Sequence, residues 1–105
     1  MRSLIFALLF SPLLAVAADS EFALTIKNHV FIPAELKIPA RQKVKLVVEN
    51  QDSTPEEFES HELNREKLIP GNSKAHIYVG PLKPGRYPFY GEFNAKTARG
   101  TLVVE

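Results

Sequence analysis

The sequence has no cysteine and no tryptophan, and its only methionine is Met1. Without cysteine the chain can form no disulfide and offers no thiolate to a metal, and without an internal methionine it offers no thioether. A type 1 copper site needs one cysteine thiolate, two imidazoles and a weak axial ligand, so composition excludes it. Side chains that bind a metal here must be oxygen donors or one of the three histidines.

Residues 1–18 have the pattern of a cleaved secretory signal peptide. Arg2 precedes the apolar run LIFALLFSPLLAVA, which ends in the small residues AVAA. Pro12 and the shortness of the run argue against a retained membrane helix, which needs about 20 apolar residues. We expect export to the periplasm, no membrane insertion after cleavage, and one small domain over residues 19–105.

The charges are balanced in number but unevenly placed. The chain has 13 basic and 12 acidic residues, and Arg2 lies in the predicted signal peptide, which leaves 12 against 12. No basic excess attracts nucleic acid. Seven of the acids lie between Glu49 and Glu66, where Arg65 is the only base. The sequence therefore predicts one acidic patch on an otherwise basic surface.

Short apolar runs of period two predict an all-β fold. Alternation is clear at 44–48, 75–79 and 87–89, and Pro-Gly turns separate the runs. Strands spaced roughly ten residues apart, without helical segments, predict an antiparallel Greek-key sandwich or barrel of about seven or eight strands. The predicted core consists of Val44, Leu46, Val48, Phe58, Ile77, Tyr87, Phe89 and Leu102.

Two blocks of sequence carry a family resemblance, EEFES at 56–60 and GPLKPGRYPFYGEF at 80–93. With the Asn-x-Asp corner at 50–52, they resemble the cupredoxins, and in particular the small exported EfeO-type cupredoxin-like domains associated with bacterial iron uptake. The resemblance extends from about Phe31 to Val104. It implies a cupredoxin-like sandwich over nearly all of the predicted mature chain.

In copper-binding cupredoxins a histidine follows this corner, and a Cys–His–Met loop follows the aromatic strand. The resemblance places Glu56 at the first histidine, Gly91 at the cysteine and Asn94 at the second histidine. Thr97 or Ala98 falls at the methionine. All four positions have lost their ligand, so the resemblance implies a retained scaffold without type 1 copper.

The densest group of potential metal ligands is the segment EEFESHE at 56–62. If it is extended, Glu57, Glu59 and His61 share one face while Phe58 packs inward. The resemblance also puts the loop that holds Glu92 at the same end of the barrel. Oxygen ligands suit hard ions such as ferric iron, and an imidazole also accommodates Cu(II). The predicted site residues are Glu56, Glu57, Glu59, His61 and Glu92.

Two functions remain open from the sequence. The resemblance implies a periplasmic metal-binding accessory of iron uptake that holds iron or copper, assists Fe(II) oxidation, or passes the ion to a membrane permease or its periplasmic partner. No catalytic constellation is recognisable, so the sequence does not decide whether the protein is an enzyme. The alternative is a metal-free module that docks a basic partner through the acidic segment. Metal binding requires the carboxylates to converge, whereas docking requires only that they be exposed together.

Overall fold

The computed structural model describes residues 19–105, so the predicted signal peptide lies outside the described residues. Nine strands and one short 3₁₀ helix (Glu92–Asn94) make up the domain. No helix within 19–105 is long and apolar enough to cross a membrane. The strands are β1 (Ser20–Lys27), β2 (Val30–Ile32), β3 (Glu35–Ile38), β4 (Val44–Asn50), β5 (Glu56–Ser60), β6 (Arg65–Ile69), β7 (Ser73–Val79), β8 (Gly85–Gly91) and β9 (Arg99–Val104).

The strands form two sheets packed face to face. One has the order β2-β1-β4-β7 and the other the order β3-β9-β8-β5-β6. Most neighbours are antiparallel, but β1 pairs with β4 and β3 with β9 in parallel, so both sheets are mixed. The predicted all-β sandwich is confirmed, with one strand more than expected because the three-residue β2 forms a separate edge.

The core follows the predicted alternation. Strand β4 shows it most clearly, since every second residue from Val44 to Asn50 is buried. All predicted core residues are buried except Tyr87. Tyr87 is half-buried, and its hydroxyl donates to the Lys83 carbonyl at 2.8 Å, so the ring lies at the margin of the core with its polar end outside.

The corner between β4 and β5 fixes the end of the sandwich that carries the predicted site. The buried Asn50 amide donates to the carbonyl of Thr54 at 2.9 Å, which holds the corner closed. The Asp52 carboxylate accepts hydrogen bonds from the backbone N–H of Asn28 at 2.7 Å and of His29 at 2.9 Å. The β1–β2 turn is thereby held beside the start of β5.

Candidate metal centre

Glu56, the first residue of β5, is buried at the end of the sandwich, with only 1% of its surface exposed. Its Oε1 accepts hydrogen bonds from the backbone N–H of Glu57 at 2.9 Å and of Phe93 at 2.8 Å. Its Oε2 accepts a third from Asn94 Nδ2 at 2.8 Å. Both carboxylate oxygens are therefore engaged, and they tie β5 to the 3₁₀ helix.

Gly91, at the end of β8, lies directly against this carboxylate. A Cβ at position 91 would lie 2.5 Å from Glu56 Cδ and 2.8 Å from Ala98 Cβ, so any side chain there would overlap its neighbours. Ala98 is fully buried, whereas the Thr97 hydroxyl donates to the His29 carbonyl at 2.6 Å. Of the two candidates for the methionine position, Ala98 is the one whose side chain lies against Gly91.

The four positions that the resemblance aligns with copper ligands thus meet at one point, but their side chains do not fit a copper ion. Glu56 fills the space, and its oxygens are already bound by three N–H donors. Gly91 has no side chain, and the Asn94 amide acts as a donor to the carboxylate. This pocket is closed by a carboxylate whose two oxygens already accept hydrogen bonds.

A second group of carboxylates converges on the outer face of the same sheet. Glu57 and Glu59 project from β5 on the side opposite Phe58, and Glu66 of β6 lies directly across from Glu59. One oxygen from each of the three lies within 4.8 Å of the others. Glu57 and Glu59 are half-buried and Glu66 is exposed. We call these three residues the outer-face cluster.

Like charges dominate the outer-face cluster. A hydrogen bond with Glu59, then partial burial and the negative charge of Glu59, raise the pKa of Glu57. Burial, followed by the charges of Glu59 and Glu92, raises the pKa of Tyr90, which lies across from Glu59 on β8. Within residues 19–105, no basic side chain forms an ion pair with any of the three clustered acids. The cluster therefore carries repulsion that a cation would relieve.

The outer-face cluster shares only two residues with the predicted site. Glu57 and Glu59 lie on one strand face as predicted, but β5 ends at Ser60, so His61 lies in an exposed turn and does not continue that face. Glu92 is exposed at the start of the 3₁₀ helix, and neither it nor His61 belongs to the group within 4.8 Å. Sequence reasoning missed Glu66, although the short HELN turn between two extended segments could have indicated the pairing of Glu59 with Glu66.

The end of β5 is set by Ser60, which explains why His61 leaves the strand face. The Ser60 hydroxyl donates to the Pro88 carbonyl at 2.7 Å and accepts from the backbone N–H of Leu63 at 3.2 Å. The chain therefore turns immediately after Ser60 to bury Leu63. The local hydrophobic alternation overestimates the strand because it contains no information about this tertiary contact.

The other two histidines lie at the surface, away from these carboxylates. His29 has 47% of its side chain exposed, and its Nδ1 lies 3.5 Å from Asp52 Oδ2. His76 is exposed on β7. Neither lies in the outer-face cluster.

Comparison with known proteins agrees with this architecture. The chain is 43% identical over 84 residues to an uncharacterized protein of Rickettsia prowazekii (strain Madrid E), covering 80% of this chain and 67% of that protein. Auracyanin A, a "blue" copper protein from the green thermophilic photosynthetic bacterium Chloroflexus aurantiacus, superposes with a TM-score of 0.71 at 15% identity, covering 84% of this chain and 100% of that one.

A chain of a heme-copper terminal oxidase dimer superposes with a TM-score of 0.67 at 18% identity. The superposition covers 83% of this chain and 65% of the oxidase chain. At these low identities the two structures show the fold alone. The model of the cupredoxin-like domain matches residues 1–104. Together with the two-sheet sandwich, this match shows that the chain belongs to the cupredoxin-like domain family.

Proposed function

We propose that the protein is an exported, periplasmic metal-binding accessory of an iron-uptake system, of the EfeO type. It binds an iron or copper ion at the outer-face cluster and hands it over to a membrane permease or its periplasmic partner. The observation that carries the proposal is the convergence of Glu57, Glu59 and Glu66 to within 4.8 Å. Family membership supports this proposal, because proteins with the cupredoxin fold commonly bind metals.

The spacing of the cluster suits one cation. Two oxygens bound to the same ion at about 2.0–2.6 Å lie no more than about 5 Å apart. The three carboxylates satisfy this limit without movement of the strands. Carboxylates are hard ligands that favour ions of high charge, so iron bound here is held more tightly as Fe(III) than as Fe(II). The same preference would assist oxidation of Fe(II) by an external oxidant.

Metal-dependent stability tests this proposal. A cation that binds only the folded state raises the free energy of unfolding by about 2.7 kcal/mol at a hundredfold excess over Kd. Melting temperatures are measured with Fe(II) under anaerobic conditions, with Fe(III) and with Cu(II). We expect a concentration-dependent rise in the parent and its loss in the Glu57→Gln, Glu59→Gln double variant. Glu62→Gln is the matched control, because Glu62 is an exposed acid of the same segment outside the cluster.

Two further variants test the wider site predicted from sequence. If His61→Ala or Glu92→Gln also removes the stabilisation, the ion is held between the cluster and those residues. If the metal salts stabilise the parent and the double variant equally, the clustered acids are not ligands. The acidic face would then be assigned to the alternative function, docking of a basic partner.

Without metal, the double variant provides an independent readout. A raised folded-state pKa means that the contribution of Glu57 to stability is present at acid pH and lost as pH rises through that pKa. At pH 7 the metal-free Gln variant should therefore be more stable than the parent, and at pH 3 the difference should disappear. Equal stability at both pH values would show that the carboxylates are too far apart in solution to repel one another.

A further inference from the structure

The structure has an open groove between its two sheets on the side opposite β3. Strand β7 is an edge of one sheet and β6 is an edge of the other. The groove between them has a volume of about 470 Å³ and is lined by Lys67, Leu68, Pro70, Lys74, Ala75 and His76. No acidic residue lines it.

The edge of β7 offers unpaired backbone groups to this groove. Arg65 Nε donates to the Tyr78 carbonyl at 2.8 Å, which shows that the backbone of Tyr78 faces away from β4 and toward β6. Because N–H and C=O groups of alternate strand residues point the same way, those of Lys74 and His76 face the groove too. Within residues 19–105, no hydrogen bond reaches the Lys74 or His76 backbone from that side.

The charge of the groove is positive. Lys67, Lys74 and His76 are all exposed, and neither lysine forms an ion pair with another residue of 19–105. Two copies joined by their β7 edges would bring Lys74 of both chains together, which like-charge repulsion disfavours. Lysines commonly protect sheet edges against self-pairing in this way. The same residues would attract an extended strand of opposite charge.

We propose that this groove is a docking site for an extended acidic segment of a partner protein, which adds as a strand to the edge of β7. Its backbone pairs with the N–H and C=O groups of Lys74 and His76. Its alternate acidic side chains meet Lys74 and His76 on one face and Lys67 on the other. Arg65 occupies the Tyr78 carbonyl and therefore marks the end of the added strand. This surface is separate from the outer-face cluster and does not depend on metal binding.

Titration of the purified ¹⁵N-labelled protein with a blocked octapeptide of alternating Glu and Val tests the proposal. At low salt we expect saturable shifts of the Lys74 and His76 amide signals and slower hydrogen exchange at both. An octapeptide of alternating Lys and Val should cause neither change. The Lys67→Glu, Lys74→Glu variant should weaken binding at least about tenfold, which corresponds to 1.4 kcal/mol. Lys96→Glu, an equal charge change on an exposed loop, should bind like the parent.

A backbone variant separates strand addition from charge attraction alone. His76→Pro removes the N–H that faces the groove, while the ladder to β4 uses the alternate residues. We expect it to lose peptide binding and keep the parent's spectrum elsewhere. Absence of shifts on β7 with the acidic peptide would show that the lysines only protect the edge. If inorganic phosphate causes the same shifts as the acidic peptide, the groove is a small-anion site. If dilution of the protein alone causes the shifts, a second copy of the chain occupies the groove. Either result overturns the proposal.

Discussion

A single residue, Glu56, decides the chemistry of the pocket at the end of the sandwich. The carboxylate stands where the resemblance places a histidine, and it accepts three N–H hydrogen bonds. Gly91 is required beside it because a Cβ would come within 2.5 Å of Glu56 Cδ. The glycine at position 91 and the buried carboxylate of Glu56 are therefore two parts of one packing arrangement.

A double-mutant cycle tests this dependence at the residue scale. Gly91→Ala should destabilise the protein by about 1–3 kcal/mol through overpacking. Glu56→Ala should also destabilise it, because three donors lose their acceptor. The double variant should cost less than the sum by at least about 1 kcal/mol, since removing the carboxylate makes room for the new methyl group. Urea unfolding measures all four proteins.

The control for this cycle combines Gly91→Ala with Glu92→Gln. Glu92 adjoins Gly91 in sequence but is exposed, so its effect should be additive with that of the alanine. If the destabilisation caused by Gly91→Ala and Glu56→Ala together equals the sum of the two single effects, the two positions do not share one space in solution.

Individual strands and turns are held in place by carboxylate-to-backbone hydrogen bonds. Asp52 binds the turn between β1 and β2, where Asn28 and His29 both have positive φ, at 53° and 59°. The N–H of His29, followed by that of Asn28, holds the pKa of Asp52 below its ordinary value of 3.8. The strained turn is therefore fixed by an ionised side chain from another loop.

This arrangement predicts an acid-dependent loss of stability at the element scale. A lowered folded-state pKa contributes stability above the unfolded pKa, near 4, which is lost as pH falls through the folded value. Asp52→Asn should cost about 2 kcal/mol at pH 7, because its amide nitrogen faces an N–H donor. As pH falls below about 4 toward 2, the difference between the variant and the parent should shrink. Denaturant unfolding across this pH range measures the difference.

Asp19→Asn is the matched control, since Asp19 makes only a 3.8 Å ion pair with Lys43 at the surface. It should change stability by less than about 0.5 kcal/mol at either pH. A constant difference between Asp52→Asn and the parent from pH 7 to pH 2 would contradict an ionic clamp.

The whole molecule depends on contacts between its two sheets, because no disulfide links them. Phe31 of β2 packs edge to face on Phe89 of β8 at 4.9 Å between ring centroids, and Phe89 stacks on Phe58 of β5 at 5.0 Å. Phe31 and Phe58 meet at 6.1 Å. These three rings join the short edge strand of one sheet to the centre of the other.

Two phenylalanines with opposite exposure test this at the scale of the molecule. Phe31 is 3% exposed and Phe93 is 52% exposed. Phe31→Ala should cost about 3–5 kcal/mol, whereas Phe93→Ala should cost less than about 0.5 kcal/mol. Thermal unfolding of both variants measures the contrast. Similar costs at the two positions would mean that the edge strand β2 contributes little to the core.

The sequence alone predicted the all-β sandwich, nearly all of its core and the absence of type 1 copper. The alternation of Val44, Leu46 and Val48 is a local property of the chain, because side chains of a strand point to opposite faces in turn. The lack of cysteine is a matter of composition. Neither depends on which strands become neighbours, so both could be deduced before the structure was known.

Only the tertiary structure decided which acidic residues are buried in the core and which converge on the outer face. Glu56 and Glu57 are adjacent in sequence, yet one is buried under the 3₁₀ helix and the other belongs to the outer-face cluster. Glu66 joins that cluster through the pairing of β5 with β6, and His61 is excluded because Ser60 binds Pro88 and ends the strand. Convergence of side chains depends on register, strand ends and contacts between distant segments, which local alternation does not encode.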